Sequence, residues 1–427
     1  MTLAGPSRVQ GCFALCVLLA LGAPLAGCGS NDDSTRSAGS GGQGAGGAPA
    51  LAGGSPNSAF LERAIPDAQH LEVTETCPGG MRDGKRCIPD RVLARASICY
   101  SGYRSNQNPN LLQYPSEDEV KEDLELLLRA GYSFLRVFDA TPHAETLLKV
   151  ITDNQLDVKI QLGIWIKGPK ATADVANQQQ IEKGIALANQ YPNLIVGVSV
   201  GNETLDSWSS VLTPAADLTE YIQQVRASVA QPVTTDDLYP PFELVAGYQD
   251  VLSVLKAVDY LSVHVYAAID ASFGSWDYQQ TSVPEGPARA QALMAAALDY
   301  TKQTVINVRK TLVEVNVDVP LLIGEAGWKS RVTDRSKVAE GVYAHEVNQQ
   351  IFFSALEDWT HGATRDADSP GTAFYFEAFD EPWKTSDDGW GVFDTRRVAK
   401  YAMWSKYPEL MPPGATPYTS ADALFYK

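Results

Sequence analysis

The strongest limit on the fold is an alternation. From residue 97 to residue 407, apolar runs of strand length alternate with longer stretches of helical periodicity. Strands are predicted over 97–103, 134–139, 158–166, 194–205, 232–237, 259–267, 319–324 and 372–379. Helices are predicted from Ser116 to a stop at Gly131, and over 143–154, 174–190, 218–230, 288–314, 337–359 and 398–407. Ser116 and Glu119 form a capping box, and Gly131 stands where a helix can end in a left-handed residue.

The fourth strand shows why a barrel fits better than an open sheet. Val196, Val198 and Val200 fall on one face, Gly197, Ser199, Gly201 and Glu203 on the other. Branched apolar side chains would meet a helix layer, and small or polar ones would point into an interior. Strand six repeats the pattern, with Leu261, Val263 and Val265 opposite Ser262, His264 and Tyr266. A doubly wound sheet lacks its Gly-rich phosphate turn after strand one and would not want so many inward polar groups. Eight strands with alternating helices predict a (β/α)8 TIM barrel, with its chemistry at the C-terminal strand ends.

The first part of the chain reads differently. Arg8 precedes an apolar run from Cys12 to Ala26, the layout of a secretory signal and too short for a comfortable membrane span. Leu25-Ala26-Gly27-Cys28 looks like a bacterial lipobox, which implies cleavage before Cys28 and acylation of its thiol. Residues 1–27 are thus expected to be a signal peptide and 28–58 a Gly- and Ser-rich tether. Residues 59–427 would form the folded domain, anchored in a bacterial envelope. With Gly29 after the cysteine, the outer membrane or the cell surface is the expected address.

In an oxidising compartment Cys77, Cys87 and Cys99 remain. Cys77 and Cys87 flank a turn-rich loop suited to closure, which predicts a disulfide and leaves Cys99 as a buried thiol. No zinc spacing is present, so neither a metal nor another cofactor is expected. The formal net charge of −17 argues against nucleic acid as a partner. The protein is expected to contact a membrane only through its lipid and to be a monomer.

Predicted strand ends carry Tyr100, Asp139, Trp165, Glu203, Tyr266, Glu325 and Glu381. Carboxylates beside aromatics suit sugars, whose hydroxyls hydrogen-bond while their C–H faces stack on rings. Cleaving a glycosidic bond takes one carboxylic acid and one carboxylate, and Glu203 and Glu325 can face each other across a barrel mouth.

Val-Gly-Asn-Glu at 200–203, Gly-Glu-Ala-Gly-Trp at 324–328 and Phe-Asp-Glu-Pro-Trp-Lys at 379–384 resemble the motifs of family 17 glycoside hydrolases, the β-1,3-glucanase family. The resemblance implies that Glu203 is the acid/base and Glu325 the nucleophile of a retaining mechanism. It implies that Asn202 holds a sugar 2-hydroxyl, that Glu381 and Lys384 form a supporting charged pair, and that Tyr266 touches the nucleophile. Plant members usually have Pro and Asn where this chain has Lys329 and Asp380, so subsite details differ.

Tyr266 and Trp328 are site walls or core aromatics on sequence alone. Glu381 and Lys384 are binding residues or a structural ion pair. Asp236 and Asp237 read as loop charges, His264 as a weaker site candidate, and the loop 273–278 as a wall or a lid. The expected activity is hydrolysis of β-1,3-glucan. A glucanosyltransferase, a barrel hydrolase for another glycan and a non-catalytic glucan-binding lipoprotein are the alternatives.

Overall fold

The computed structural model describes residue 77 and residues 80–82, 84–244, 247–332, 344–384 and 389–422. The predicted signal peptide, Cys28 and the tether lie outside the described residues, as does the 337–343 part of the predicted helix 337–359.

Eight parallel strands close into a barrel. In chain order they are Ala96–Cys99, Tyr132–Val137, Lys159–Ile164, Ile195–Asn202, Val233–Leu238, Leu261–His264, Leu321–Ala326 and Ala373–Tyr375. The eighth pairs with the first through Tyr375 and Ile98, which leaves no sheet edge. Helices Glu117–Arg129, Pro142–Asp153, Lys170–Gln190, Ala215–Ser228, Leu252–Ala257, Pro287–Glu314 and Glu346–Thr360 lie between strands. The first is held as expected: Ser116 Oγ accepts from the Glu119 N–H, and the Glu119 carboxylate accepts from the Ser116 N–H. Gly131 follows with φ of 82°. Leu252–Ala257 was not legible in advance, being under two turns long, and the last predicted helix shrinks to Tyr401–Trp404.

The apolar residues form two layers. An outer one lies between strands and helices, where Ile98, Leu135, Leu162, Val198, Val263 and Ile323 are all buried. Each such side chain contributes about 1.5–3 kcal/mol by leaving water. An inner one fills the lower barrel, with Cys99, Phe134, Tyr260, Leu322 and Phe374 around Ile88. Ile88 follows a hairpin, Met81–Arg82 paired with Lys85–Arg86, closed by the expected Cys77–Cys87 disulfide. Lys85 Nζ donates to the Val258 carbonyl at 2.6 Å and Arg86 Nη1 to the Val229 carbonyl at 2.6 Å. Both carbonyls precede strands, so the hairpin covers the N-terminal end, opposite the mouth. Cys99 is a buried free thiol.

Register shifts break the simple alternation of faces, and they matter for the site. Between strands three and four, Ile160 pairs with Ile195 but Gln161 with Gly197, so Val196 turns towards the inner layer instead of joining Val198 outside. Between strands six and seven, Val263 pairs with Ile323 but His264 with Glu325. Gly324 and Glu325 can therefore both face the interior, while Ile323 and Ala326 stay in the outer layer. Between strands four and five, a shift after Ser199 precedes Asn202. Such bulges re-aim side chains near active sites.

Two aromatics expected at the mouth belong to the outer packing instead. Trp328 lies two residues after outward Ala326, is fully buried and packs on Phe352 of a helix. Tyr100 lies two residues after outward Ile98, and its hydroxyl donates to Asp123 on the first helix at 3.2 Å.

Candidate active site

Glu203 and Glu325 stand at the C-terminal ends of strands four and seven, as expected. An oxygen of Glu203, a ring nitrogen of His264 and an oxygen of Glu325 lie within 4.8 Å of one another. The two carboxyls differ sharply in surroundings. Glu325 is buried, whereas the Glu203 side chain keeps 25% of its surface exposed.

Glu325 is gripped from both sides. Arg136, fully buried on strand two, donates through Nη1 to Glu325 Oε1 at 2.5 Å. The Tyr266 hydroxyl donates to Glu325 Oε2, the contact expected of it. Burial alone would raise the Glu325 pKa. The neighbouring His264 and Arg136 charges and the Tyr266 hydrogen bond outweigh it and leave the carboxyl below its ordinary value.

Arg136 ties the site together. Its Nε donates to Asp236 Oδ2 at 2.9 Å and its Nη2 to Asn202 Oδ1 at 2.6 Å. With Oδ1 committed, Asn202 is left with its amide nitrogen as donor. Asp236 is no loop charge. It is buried on strand five, accepts from Arg136, Gln161 Nε2 and the Ser262 hydroxyl, and forms the floor beneath both glutamates. Burial opposes its ionisation, but the Arg136 and His264 charges bring its pKa below the ordinary value.

His264 sits between the two glutamates. Its Nδ1 is 3.0 Å from Glu203 Oε1, and its Nε2 is 3.6 Å from Glu325 Oε1. Burial would strip its proton, yet the Glu325 charge and the Glu203 hydrogen bond raise its pKa above 6.5. Glu203, His264 and Glu325 are also the group of described residues with a metal-like arrangement. The guanidinium held against Glu325 Oε1 opposes a cation there, so the three read as a proton-handling set.

A second carboxyl pair stands after strand eight. Glu381 accepts from the Ser101 hydroxyl and from Trp383 Nε1 and pairs with Lys384. Glu377 is buried nearby, and burial together with the Glu381 charge pushes its pKa well above the ordinary value. Glu381 is buried and fully engaged, whereas Lys384 lies over the Phe376 ring at 5.0 Å. Phe376 in turn packs edge-on against Tyr266. Asp139 is half-buried and accepts from the Thr141 hydroxyl at 2.7 Å; Trp165 is half-buried just past strand three.

Past Glu203, buried Asp237 accepts from the Thr204 N–H at 2.7 Å and the Leu205 N–H at 3.0 Å, which fixes the turn. Asp206 is buried beside it. Burial and the Glu203 and Asp270 charges lift its pKa to about 7.

Residues 97–392 match the family model of the BtgE/BtgC glycoside hydrolase domain. The Aspergillus niger btgC protein is 25% identical over 327 residues, covering 69% of this chain and 41% of its own length. The Emericella nidulans glucan endo-1,3-beta-glucosidase btgC is 24% identical over 316 residues, covering 67% and 42%. This chain thus spans about two fifths of the length of the curated relatives it matches. The crystal structure of an endo-laminarinase from Formosa Hel1_33_131 has the same fold, with a TM-score of 0.67 at 24% identity, covering 78% of this chain and 90% of that one.

Proposed function

Because the chain belongs to the BtgE/BtgC glycoside hydrolase domain family, we propose that it hydrolyses β-1,3-linked glucan by double displacement, in the manner of family 17 enzymes. The observation that carries the reading is the spacing of Glu203 and Glu325, with carboxyl oxygens no more than 4.8 Å apart. Retaining glycosidases hold their two carboxyls about 5–5.5 Å apart, whereas inverting ones need about 6.5–9.5 Å to admit a water.

Glu325, kept ionised by Arg136 and Tyr266, attacks the anomeric carbon as Glu203 passes its proton to the departing oxygen. The C–O bond to the leaving sugar breaks, and a glycosyl ester on Glu325 forms. Glu203, now a carboxylate, takes a proton from water as that water attacks the same carbon, and the Glu325–carbon bond breaks. Two inversions give net retention. His264, touching Glu203 Oε1, answers the change of charge on Glu203 between the steps. Asn202 offers its amide to the 2-hydroxyl, its orientation fixed by Arg136.

We further propose that Cys28 carries a lipid that holds the enzyme in a bacterial envelope, a reading supported by Leu25-Ala26-Gly27-Cys28 and the apolar run before it. Proton NMR of the first reducing ends released from laminarin tests the catalytic reading. The β-anomer should appear first and mutarotate later. An initial α-anomer, or turnover of β-1,4-glucan alone, would overturn it.

A further inference from the structure

Below Asp236 the barrel interior holds two further polar side chains, Gln161 on strand three and Tyr260 just before strand six, both buried. The Tyr260 hydroxyl donates to Gln161 Oε1 at 2.8 Å, and Gln161 Nε2 donates to Asp236 Oδ2 at 2.9 Å. Arg136 Nε reaches the same Oδ2 at 2.9 Å, and Nη1 of that guanidinium holds Glu325. A line of hydrogen bonds thus runs from Tyr260 to Glu325 through side chains of strands three, five and two.

The line has one direction. Turning the Gln161 amide over would aim its carbonyl oxygen at the Asp236 carboxylate, two acceptors with no proton between them. Burial and the Asp236 charge push the Tyr260 pKa well above its ordinary value, so the hydroxyl keeps its proton and stays a donor. Asp236 Oδ1 takes the Ser262 hydroxyl, which leaves Gln161 and Arg136 to hold Oδ2. Strand four makes the room for this contact. Gly197 pairs in register with Gln161, and a Cβ there would lie 2.7 Å from the Tyr260 hydroxyl oxygen and 3.4 Å from Ile88 Cδ1. Any larger residue at 197 would push the hydroxyl away from the amide.

We propose that Gln161 and Tyr260 are positioning residues for attack by Glu325: the Tyr260 hydroxyl fixes the Gln161 amide, the amide fixes Asp236 Oδ2, and Asp236 holds Arg136 against Glu325, with Gly197 supplying the space. The inference rests on the reading of Glu325 as the nucleophile of a double displacement. Both residues act on the sugar only through Arg136 and Glu325. Without the amide, Asp236 Oδ2 keeps one donor and can swing, and the guanidinium slackens. The burial that opposes a charge on Glu325 is then less well offset, so the Glu325 pKa rises. Besides Arg136 and Asp236, the titratable groups around Glu325 are Cys99, Glu203, His264 and Tyr266, with Glu377 beside Cys99.

The test reads the acid limb of kcat/KM on laminarin in Tyr260→Phe, Gln161→Met and the two combined, none of which alters a titrating group of the site itself. Tyr260→Phe removes one oxygen and keeps the ring that packs the barrel floor. Its acid limb should move to higher pH by about 0.5–1 unit, the scale of one buried hydrogen bond, and kcat should fall with KM little changed. Gln161→Met should move the limb at least as far. With the amide gone the hydroxyl has nothing to act through, so adding Tyr260→Phe to Gln161→Met should bring no further shift. Gly197→Ala, which removes no polar group, should reproduce the Tyr260→Phe shift. A purely structural role would lower the melting point and leave the limb in place. An unmoved limb in Tyr260→Phe, or additive shifts in the double variant, would overturn the relay. Labelling with 2-deoxy-2-fluoro laminaribiosyl fluoride, followed by peptide mass, reads the underlying mechanism separately. A wild type that carries no label on Glu325 would overturn the double displacement, and the relay with it.

Discussion

Arg136 Nη1 lies 2.5 Å from Glu325 Oε1, inside a barrel where both side chains are buried. The same guanidinium holds Asp236 and Asn202, so one residue on strand two orients groups from strands four, five and seven. Arg136→Met should therefore cost both catalysis and stability. Loss of one partner from a buried ionic cluster typically costs about 3–5 kcal/mol, and a fall in kcat on the order of 10²–10⁴ is expected from lost electrostatic support. Calorimetry and turnover on laminarin check it. A melting point within 2 °C (about 1.5 kcal/mol or less for a domain this size) would contradict the account.

The acid limb of the kcat/KM profile should report Glu325. Its pKa in the folded enzyme is below the ordinary value of 4.5, so activity should survive to lower pH than an unassisted glutamate would allow. The stability it contributes is present above the unfolded pKa and is lost as pH falls through the lower folded one. His264 has the opposite sign: its contribution is full below pH 6.5 and fades as pH climbs through the raised folded value. Arg136→Gln should move the acid limb to higher pH. An unchanged limb would mean that the guanidinium does not set the charge of Glu325.

Gly324 precedes Glu325 at a point where a side chain has no room. A Cβ there would meet Asp236 Oδ1 at 2.4 Å and Ser262 Oγ at 2.5 Å. Gly324→Ala should destabilise by about 1–3 kcal/mol, as overpacking does, and should lower kcat more than it raises KM because the floor under Glu325 shifts. Thermal melts and steady-state kinetics check it; a variant like the wild type in both would contradict the packing described.

Acylation of Cys28 should make the mature protein partition into detergent, and Cys28→Ser should leave it soluble or unprocessed. Phase separation in Triton X-114, with the N-terminal peptide mass, reads the result. Wild type in the aqueous phase and cut elsewhere would contradict the anchor.

The barrel and its two glutamates were legible because strand alternation and short motifs are local signals. Arg136 was not. On its strand it reads as a polar residue among apolar ones, and its partners lie 100 and 189 positions away in sequence. Asp236 was passed over for the same reason: beside Asp237 at a strand end it has the look of solvated charge. His264 had alternation in its favour, but nothing local says that it will lie between the two glutamates. Trp328 and Tyr100 misled because aromatics near strand ends suit either face, and bulges at Val196 and Gly324 spoil the parity by which faces are counted. Glu377 gave no signal, since its meaning comes from Glu381, four residues on.

The roles of Glu203 and Glu325 can be told apart by what azide attacks. Glu325→Gly removes the nucleophile, so azide should enter from the vacated side and give an α-glycosyl azide from a β-aryl glycoside with a good leaving group. Glu203→Ala still forms the ester on Glu325, so azide should attack that intermediate and give a β-glycosyl azide. On laminarin each variant should lose several orders of magnitude in rate, of order 4–7 kcal/mol of transition-state stabilisation. NMR of the azide products is the deciding measurement. An α-azide from Glu325→Gly and a β-azide from Glu203→Ala are predicted, whereas swapped products, or near-normal laminarin turnover by either variant, would contradict the assignment.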